Sequence, residues 1–468
     1  MALKEYYIIF FAVVTIIASY KLYKKAAGSL SINKLGPISM SFYVLLFLSY
    51  IGTTLIVLGK ADHSMYRYLR HQDLKIDVFF VLSMLMIIFP LVILGLNKLF
   101  KYNPMEYQEY RERKVTLEYK GNVEFITMVI ASVVCIVSVI YVFAKIGIQD
   151  NPFLNIIKGV GEKELGVLRI NIANEFTGIS GYIKNIFALA LTPFMSYVAY
   201  IYSRRTKDNK WIILFVILFI FSNIMVFYNL QKAPLIIYWG NFVVLSILYG
   251  DKVKIKYVVI LGVVSFVVLN LMYIFIAGKR LDQILTIDNP IFNRTFITTP
   301  IGFFLHMEVF TYRMLPLAGA SMPGLIGSKI FGASEVLRSS SVIMESVNFE
   351  GVRSGVAGVY NGLFLGEAYA NFGNLGMFIS MIHVPIVFFV FNYIFTKIKK
   401  TPIYLALFSY LTVNLVWTLH GGYADYVFNT MWIIAIVVAV AMSLFNKILN
   451  NILNKKDINK NENINNSI

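Results

Sequence analysis

The sequence predicts an all-α polytopic membrane protein, and three observations carry that expectation. Hydrophobic residues make up 58% of the 468 and charged residues only 14%, against roughly a quarter charged in a soluble globular domain. Apolar runs of about 20 residues, the length that crosses a hydrocarbon core, recur along the chain. The segments between those runs alternate between short basic loops and less basic ones, the pattern of a chain threaded back and forth through a bilayer.

About eleven spans are expected, at 5–20, 38–58, 77–97, 123–144, 183–202, 211–229, 233–249, 257–277, 374–395, 403–419 and 426–446. The first run has no small-residue cleavage site before Lys21, Lys24 and Lys25, so it reads as a retained span and not a signal peptide. Basic residues follow every odd-numbered span. Lys98, Lys101, Arg111, Arg113, Lys114 and Lys120 follow the third; Arg204, Arg205, Lys207 and Lys210 the fifth; Lys252, Lys254 and Lys256 the seventh; Lys397, Lys399 and Lys400 the ninth. These loops are expected in the cytoplasm, with the N-terminus outside and the C-terminus inside. Residues 1–450 thus form one transmembrane domain. The tail 451–468 is polar and repetitive and is expected to be disordered and cytoplasmic.

The net charge is +17. No basic stripe lies on a soluble domain, which excludes a nucleic-acid partner. The excess is first a topology signal and an attraction to anionic membrane lipids. The single cysteine, Cys135, lies in an apolar run, which excludes an intrachain disulfide.

Two outward loops are long, at about 146–182 and 278–373, and they break the charge trend. The second holds Lys279, Arg280, Arg294, Arg313, Lys329, Arg338 and Arg353. Long loops translocate whatever their charge, so the basic residues need another reason, and anion binding supplies one. Within this loop Pro300, Pro316 and Pro323 bracket an apolar stretch, and 296–315 is expected to form an interfacial or re-entrant helix. Irregular backbone at that depth persists only where protein or a cavity surrounds it.

The loop leads into GVRSGVAGVYNGLFLGEAYANFGNLG, Gly351 to Gly376. A carboxylate at the mouth of a membrane helix is costly and marks a functional site by default. Glu367 is that carboxylate, a candidate base for an incoming hydroxyl; the plainer reading pairs it with an arginine. Tyr360, Asn361, Tyr369 and Asn371 around it are types that hydrogen-bond and stack on sugars. Lys232, Arg280, Arg313, Arg353 and Arg169 form a basic set on the outward face. Arginine forks and lysine point charges both suit phosphate, although long cationic side chains also snorkel at helix ends. His420 and Asp425 share a short outward loop, and His420 is a second candidate base or a phosphate donor. His306 and His383 lie in apolar surroundings and read as structural; His63 and His71 lie in a polar loop without a motif.

Several chemistries lack their residues. No His-x-x-His or carboxylate cluster has metal spacing. The pair Glu162 and Glu164 is the only acidic-x-acidic match and lies in a loop. No phosphate-binding glycine loop or G-x-S-x-G turn occurs. Acidic residues deep in the spans are nearly missing, which disfavours an ion-coupled transporter. No cofactor is expected.

The arginine-rich outward loop running into NGLFLGEAYANFGNLG resembles the bacterial O-antigen and capsule oligosaccharide repeat-unit polymerases. GEAYANFG, 366–373, carries most of the resemblance, with Gln231-Lys232 and Arg280 at similar positions. Arg169 to Gly178 and Arg353 to Gly362 form two R…G units of equal length. The resemblance implies a glycosyltransferase of the C-type multi-span class, metal-independent, in the bacterial cytoplasmic (inner) membrane. It implies transfer of a growing glycan from undecaprenyl diphosphate onto a new lipid-linked repeat, making O-antigen, capsule or exopolysaccharide. The lipid-linked oligosaccharide would be the substrate, with a chain-length regulator and a flippase as partners. A ligase that moves a finished glycan to another acceptor shares these features. A lipid-linked oligosaccharide flippase or exporter would instead line several spans with charge.

Overall fold

The computed structural model describes residues 2–61, 66, 68–119, 122–254, 296–354 and 358–465, with a few more between 256 and 267. The expected span at 257–277, and Lys279, Arg280 and Arg294, lie largely or wholly outside them. Among the described residues the regular structure is entirely helical. In hydrocarbon a helix satisfies every backbone group within its own segment, which is why apolar runs of this length become helices.

The long helices are α1 (Ala2–Ala27), α2 (Pro37–Val57), α3 (Leu74–Leu99), α4 (Val123–Ile146), α5 (Gly178–Thr206), α6 (Asn209–Val226), α7 (Lys232–Tyr249), α8 (Leu363–Lys397), α9 (Pro402–Trp417) and α10 (Thr430–Asn465). Nine of the described helices are long and apolar enough to cross a membrane; α7 is apolar but falls short. The protein is therefore an all-α polytopic membrane protein. Large apolar side chains such as Phe10, Val137, Ile140 and Ile213 point outward, as lipid-facing residues should. The last helix runs on to Asn465, so the stretch after 450, expected to be disordered, continues a helix.

The helices pack in two groups. One core joins α1, α2, α3 and α8 with a buried 15-residue helix, Thr298–Tyr312. The second joins α4, α5, α6, α7, α9 and α10. Where the groups meet, Phe395 of α8 stacks on Phe408 of α9 and Phe391 meets the same ring edge-on.

The loops sort to two ends of the bundle. At one end the basic loops touch one another. The Lys400 ammonium donates to the carbonyls of Arg111 at 2.6 Å and Arg113 at 2.8 Å. Arg111 Nε donates to the carbonyl of Ile247, in the last turn of α7, at 2.9 Å, and Arg204 grips Asp251 through two bonds of 2.6 and 3.0 Å. Cations there satisfy the unpaired carbonyls of helix C-termini. The residues that signal topology in the sequence thus also close the helix ends. Burial and the neighbouring Arg111 and Arg113 charges push the Lys400 amine down to about 7.

At the other end, the helix Thr298–Tyr312 is the segment expected to be interfacial or re-entrant. Every residue from Pro300 to Phe310 is buried, so protein surrounds it. It crosses α8 closely through glycines. A Cβ on Gly302 would lie 1.9 Å from the carbonyl oxygen of Asn361. His306 fills the notch left by Gly362 and Gly366, with ring nitrogens 2.7 Å from the Gly302 carbonyl and 3.1 Å from Ser339 Oγ. That is the structural role its apolar surroundings suggest.

The helix α8 is broken. Phe372 and Gly373 leave helical geometry, Gly373 at φ 60° and ψ −150°, a region that glycine alone adopts without strain. The sequence reading begins this span at 374 and leaves 363–373 in the loop. In the structure residues 363–371 form a half-helix, which carries Glu367 inward.

Candidate functional site

Glu367 is 3% exposed. Its Oε2 accepts the backbone N–H of Ala424 at 2.8 Å, and Oε1 lies 3.6 Å from the Arg338 guanidinium. Arg338 stands at the start of the helix Ser339–Val347 and also donates to Asp425 at 3.0 Å. One arginine therefore bridges a buried carboxylate and a partly open one, Asp425 being 31% exposed at its side chain. Burial works against the Arg338 charge, but Asp425 and Glu367 outweigh it and hold its pKa above the ordinary arginine value. The loop from Gly421 to Asp425 reaches Glu367 because residue 422 is glycine; a Cβ there would lie 2.2 Å from Glu367 Oε2. His420 ends the short turn Thr418–His420 beside this loop, is buried, and its Nε2 has no hydrogen-bond partner among the described residues.

Asn371 and Tyr369 hold the half-helix in place. The Asn371 carbonyl oxygen accepts the N–H groups of Gly319 at 3.1 Å and Ser321 at 3.3 Å, and its amide donates to the Glu367 carbonyl at 2.7 Å and to Ser321. The Tyr369 hydroxyl bonds Thr311 at 2.7 Å. Of the four residues expected to contact sugar, Tyr369 and Asn371 are thus engaged inside the protein. Tyr360 is buried, and its N–H donates to Ser340; Asn361 is exposed.

A second buried carboxylate, Glu308, is fully enclosed. It accepts from Arg313 at 2.9 Å and from the His71 backbone N–H at 3.1 Å, with His71 Nδ1 also at 3.1 Å. Arg313 reaches on to the Tyr68 carbonyl at 2.5 Å, and the His71 ring stacks on Tyr312 at 3.6 Å. Burial pushes the Glu308 carboxyl up, yet Arg313 and His71 outweigh it and hold it below the ordinary value. Arg313, read as a phosphate ligand, is thus an internal partner tying the loop before α3 to the buried helix. We expect Glu308→Gln to cost about 1–3 kcal/mol, since Arg313 loses its counter-charge. Thermal melting of the purified variant checks this; an unchanged midpoint would show the cluster to be dispensable.

The other basic candidates lie apart. Arg353 ends the short helix Phe349–Arg353, is exposed, and makes no ion pair with Glu367. Arg169 lies half-buried on the helix Glu162–Glu175. Lys232 is the first residue of α7. No group of three or more metal-ligating side chains occurs among the described residues. Sequence reasoning missed Arg338 as the partner of Glu367, Gly422 as the residue that admits the loop, and the Glu308–His71 contact. Arg338 is one of seven basic residues in its loop and nothing local distinguishes it.

Comparison with protein-family models, curated proteins and solved structures returns no significant match.

Proposed function

We propose that this protein is a membrane glycosyltransferase that polymerises undecaprenyl-diphosphate-linked oligosaccharide repeats on the outer leaflet of a bacterial cytoplasmic membrane. The observation that carries the reading is the Glu367–Arg338–Asp425 arrangement on a broken half-helix, at the bundle end opposite the basic loops. The resemblance of 366–373 to repeat-unit polymerases supports the same class.

In this reading an acceptor hydroxyl attacks the anomeric carbon of the donor glycan. The carbon–oxygen bond to the lipid diphosphate breaks, and the diphosphate leaves with the electron pair. Arg338, charged and 38% exposed at its side chain, offsets the developing phosphate charge. Asp425, the more open carboxylate, accepts the hydroxyl proton. Glu367, with both oxygens engaged, is a positioning residue that fixes Arg338 and the 421–425 loop. The basic loops then face the cytoplasm, as the charge bias implies.

The test is direct. Purified protein in nanodiscs, given repeats linked to undecaprenyl diphosphate, is expected to produce a ladder of longer glycans that stays lipid-linked. No lengthening with the matching repeat overturns the proposal. Transfer of intact glycan to a different acceptor, without a ladder, replaces polymerase by ligase.

A further inference from the structure

At the same end of the bundle, but in the other helix group, two lysines converge without a counter-charge among the described residues. Lys145 closes α4 and Lys184 lies near the start of α5. Their ammonium groups sit 4.9 and 4.8 Å from the centre of one ring, Phe176. That places the two ammonium groups within about a Debye length of each other at 0.1 M salt. Lys184 is 5% exposed. Among the described residues its ammonium lies over the faces of Phe176 and, at 5.9 Å, Tyr228. Lys145 donates to the Glu175 carbonyl at 2.9 Å and to Ser180 Oγ at 3.0 Å, both neutral acceptors. Neither lysine forms a salt bridge among the described residues.

Magnitudes decide what this means. A cation–π contact supplies about 0.5–2 kcal/mol. Burying an ammonium costs several kcal/mol, and a second ammonium nearby adds repulsion. The two rings offset only part of that, which leaves the pair suited to an anion. Lys184 lies on a stretch, Ile183–Leu191, that winds as a nine-residue π-helix, and wide turns of this kind recur at functional sites. Ile179 and Tyr182, one turn earlier, are apolar and exposed, and they extend the site with a surface for hydrocarbon.

We propose that Lys145 and Lys184 bind the phosphate of an amphiphile, with Phe176 and Tyr228 as walls and the Ile179–Tyr182 surface against its tail. Two point charges suit a phosphate, which lysine contacts as a compact donor. The same chemistry is offered by a phospholipid headgroup, a lipid diphosphate and free pyrophosphate. The site is separate from Arg338 and does not depend on the glycosyl-transfer reading.

The experiment measures binding to full-length protein in zwitterionic nanodiscs by thermal shift. The probes are inorganic pyrophosphate, farnesyl diphosphate, and phosphatidylglycerol added to the nanodisc. Wild type is expected to be stabilised by at least one probe, and which one identifies the source of the phosphate. Lys184→Met is expected to weaken that binding about tenfold or more, while Lys184→Arg retains most of it. Should Lys184→Met fail to fold, Lys145→Met, on the more open side, is expected to show the same loss. Wild type that binds none of the three probes overturns the proposal. So does a folded Lys145→Met or Lys184→Met variant that binds as well as wild type.

Discussion

Replacing Arg338 with glutamine is expected to abolish glycan lengthening and to lower stability by about 1–3 kcal/mol. The stability loss comes from Glu367, not from Arg338 itself. Arg338 is partly exposed, and an exposed ion pair contributes little. Glu367 is 3% exposed, and without the guanidinium its carboxylate keeps a single donor, the Ala424 N–H. A buried charge left short of partners is the expensive case. The prediction therefore has a second half: in a Glu367→Gln background the same Arg338→Gln change should cost much less stability. The loss of activity should not be rescued there, because the positive charge proposed to face the leaving diphosphate is still missing. Arg338→Lys should recover stability better than activity, since one ammonium cannot reproduce a fork shared by two carboxylates. Melting curves and ladder assays on the four combinations check both halves. Additive stability losses would show that Arg338 and Glu367 do not act as a pair.

How much of this was legible beforehand follows from what a sequence encodes locally. Helices were legible because burial in lipid demands long apolar runs, and the described helices fall where those runs lie. The sorting of loops to two ends was legible too, since the loops that carry Arg111, Arg204 and Lys400 meet at one end, as the spacing of the basic residues implied. The half-helix 363–371 was not, because Glu367, Tyr369 and Asn371 make the stretch look like loop. What makes it helical is its packing against Thr298–Tyr312 through Gly302, Gly362 and Gly366. Glu367 itself stood out as a carboxylate at a membrane helix. Its partner did not, because which arginine of a long loop folds back is decided by tertiary packing. Arg353 leads the glycine-rich stretch and Arg313 follows an apolar run, so both carried more local signal than Arg338. Glu308 was hidden because its partner His71 comes from a loop far away in sequence, as does Tyr68, whose carbonyl Arg313 reaches.

Gly422→Ala is expected to leave the protein folded and inactive, and its neighbour in kind, Gly302→Ala, to prevent folding. Both add one methyl group; what that group meets decides the difference. At Gly302 it meets backbone, the Asn361 carbonyl at 1.9 Å, and two main-chain segments inside a packed core cannot move apart cheaply. At Gly422 it meets the end of a side chain, Glu367 Oε2 at 2.2 Å. The carboxylate can turn aside, but in doing so it gives up the Ala424 N–H and moves away from Arg338. The cost in stability should stay near that of a lost charged hydrogen bond, about 1–3 kcal/mol, while the arrangement that sets Arg338 against Asp425 is lost. Displacement by about an ångström is enough to remove most of a positioned group's effect. A compensating change separates this from general damage. Glu367→Asp withdraws the carboxylate by one carbon–carbon bond, about 1.5 Å, which makes room for the new methyl. Gly422→Ala combined with Glu367→Asp should therefore be more active than Gly422→Ala alone. If the double variant is no better, the clash with Glu367 is not what Gly422 exists to avoid.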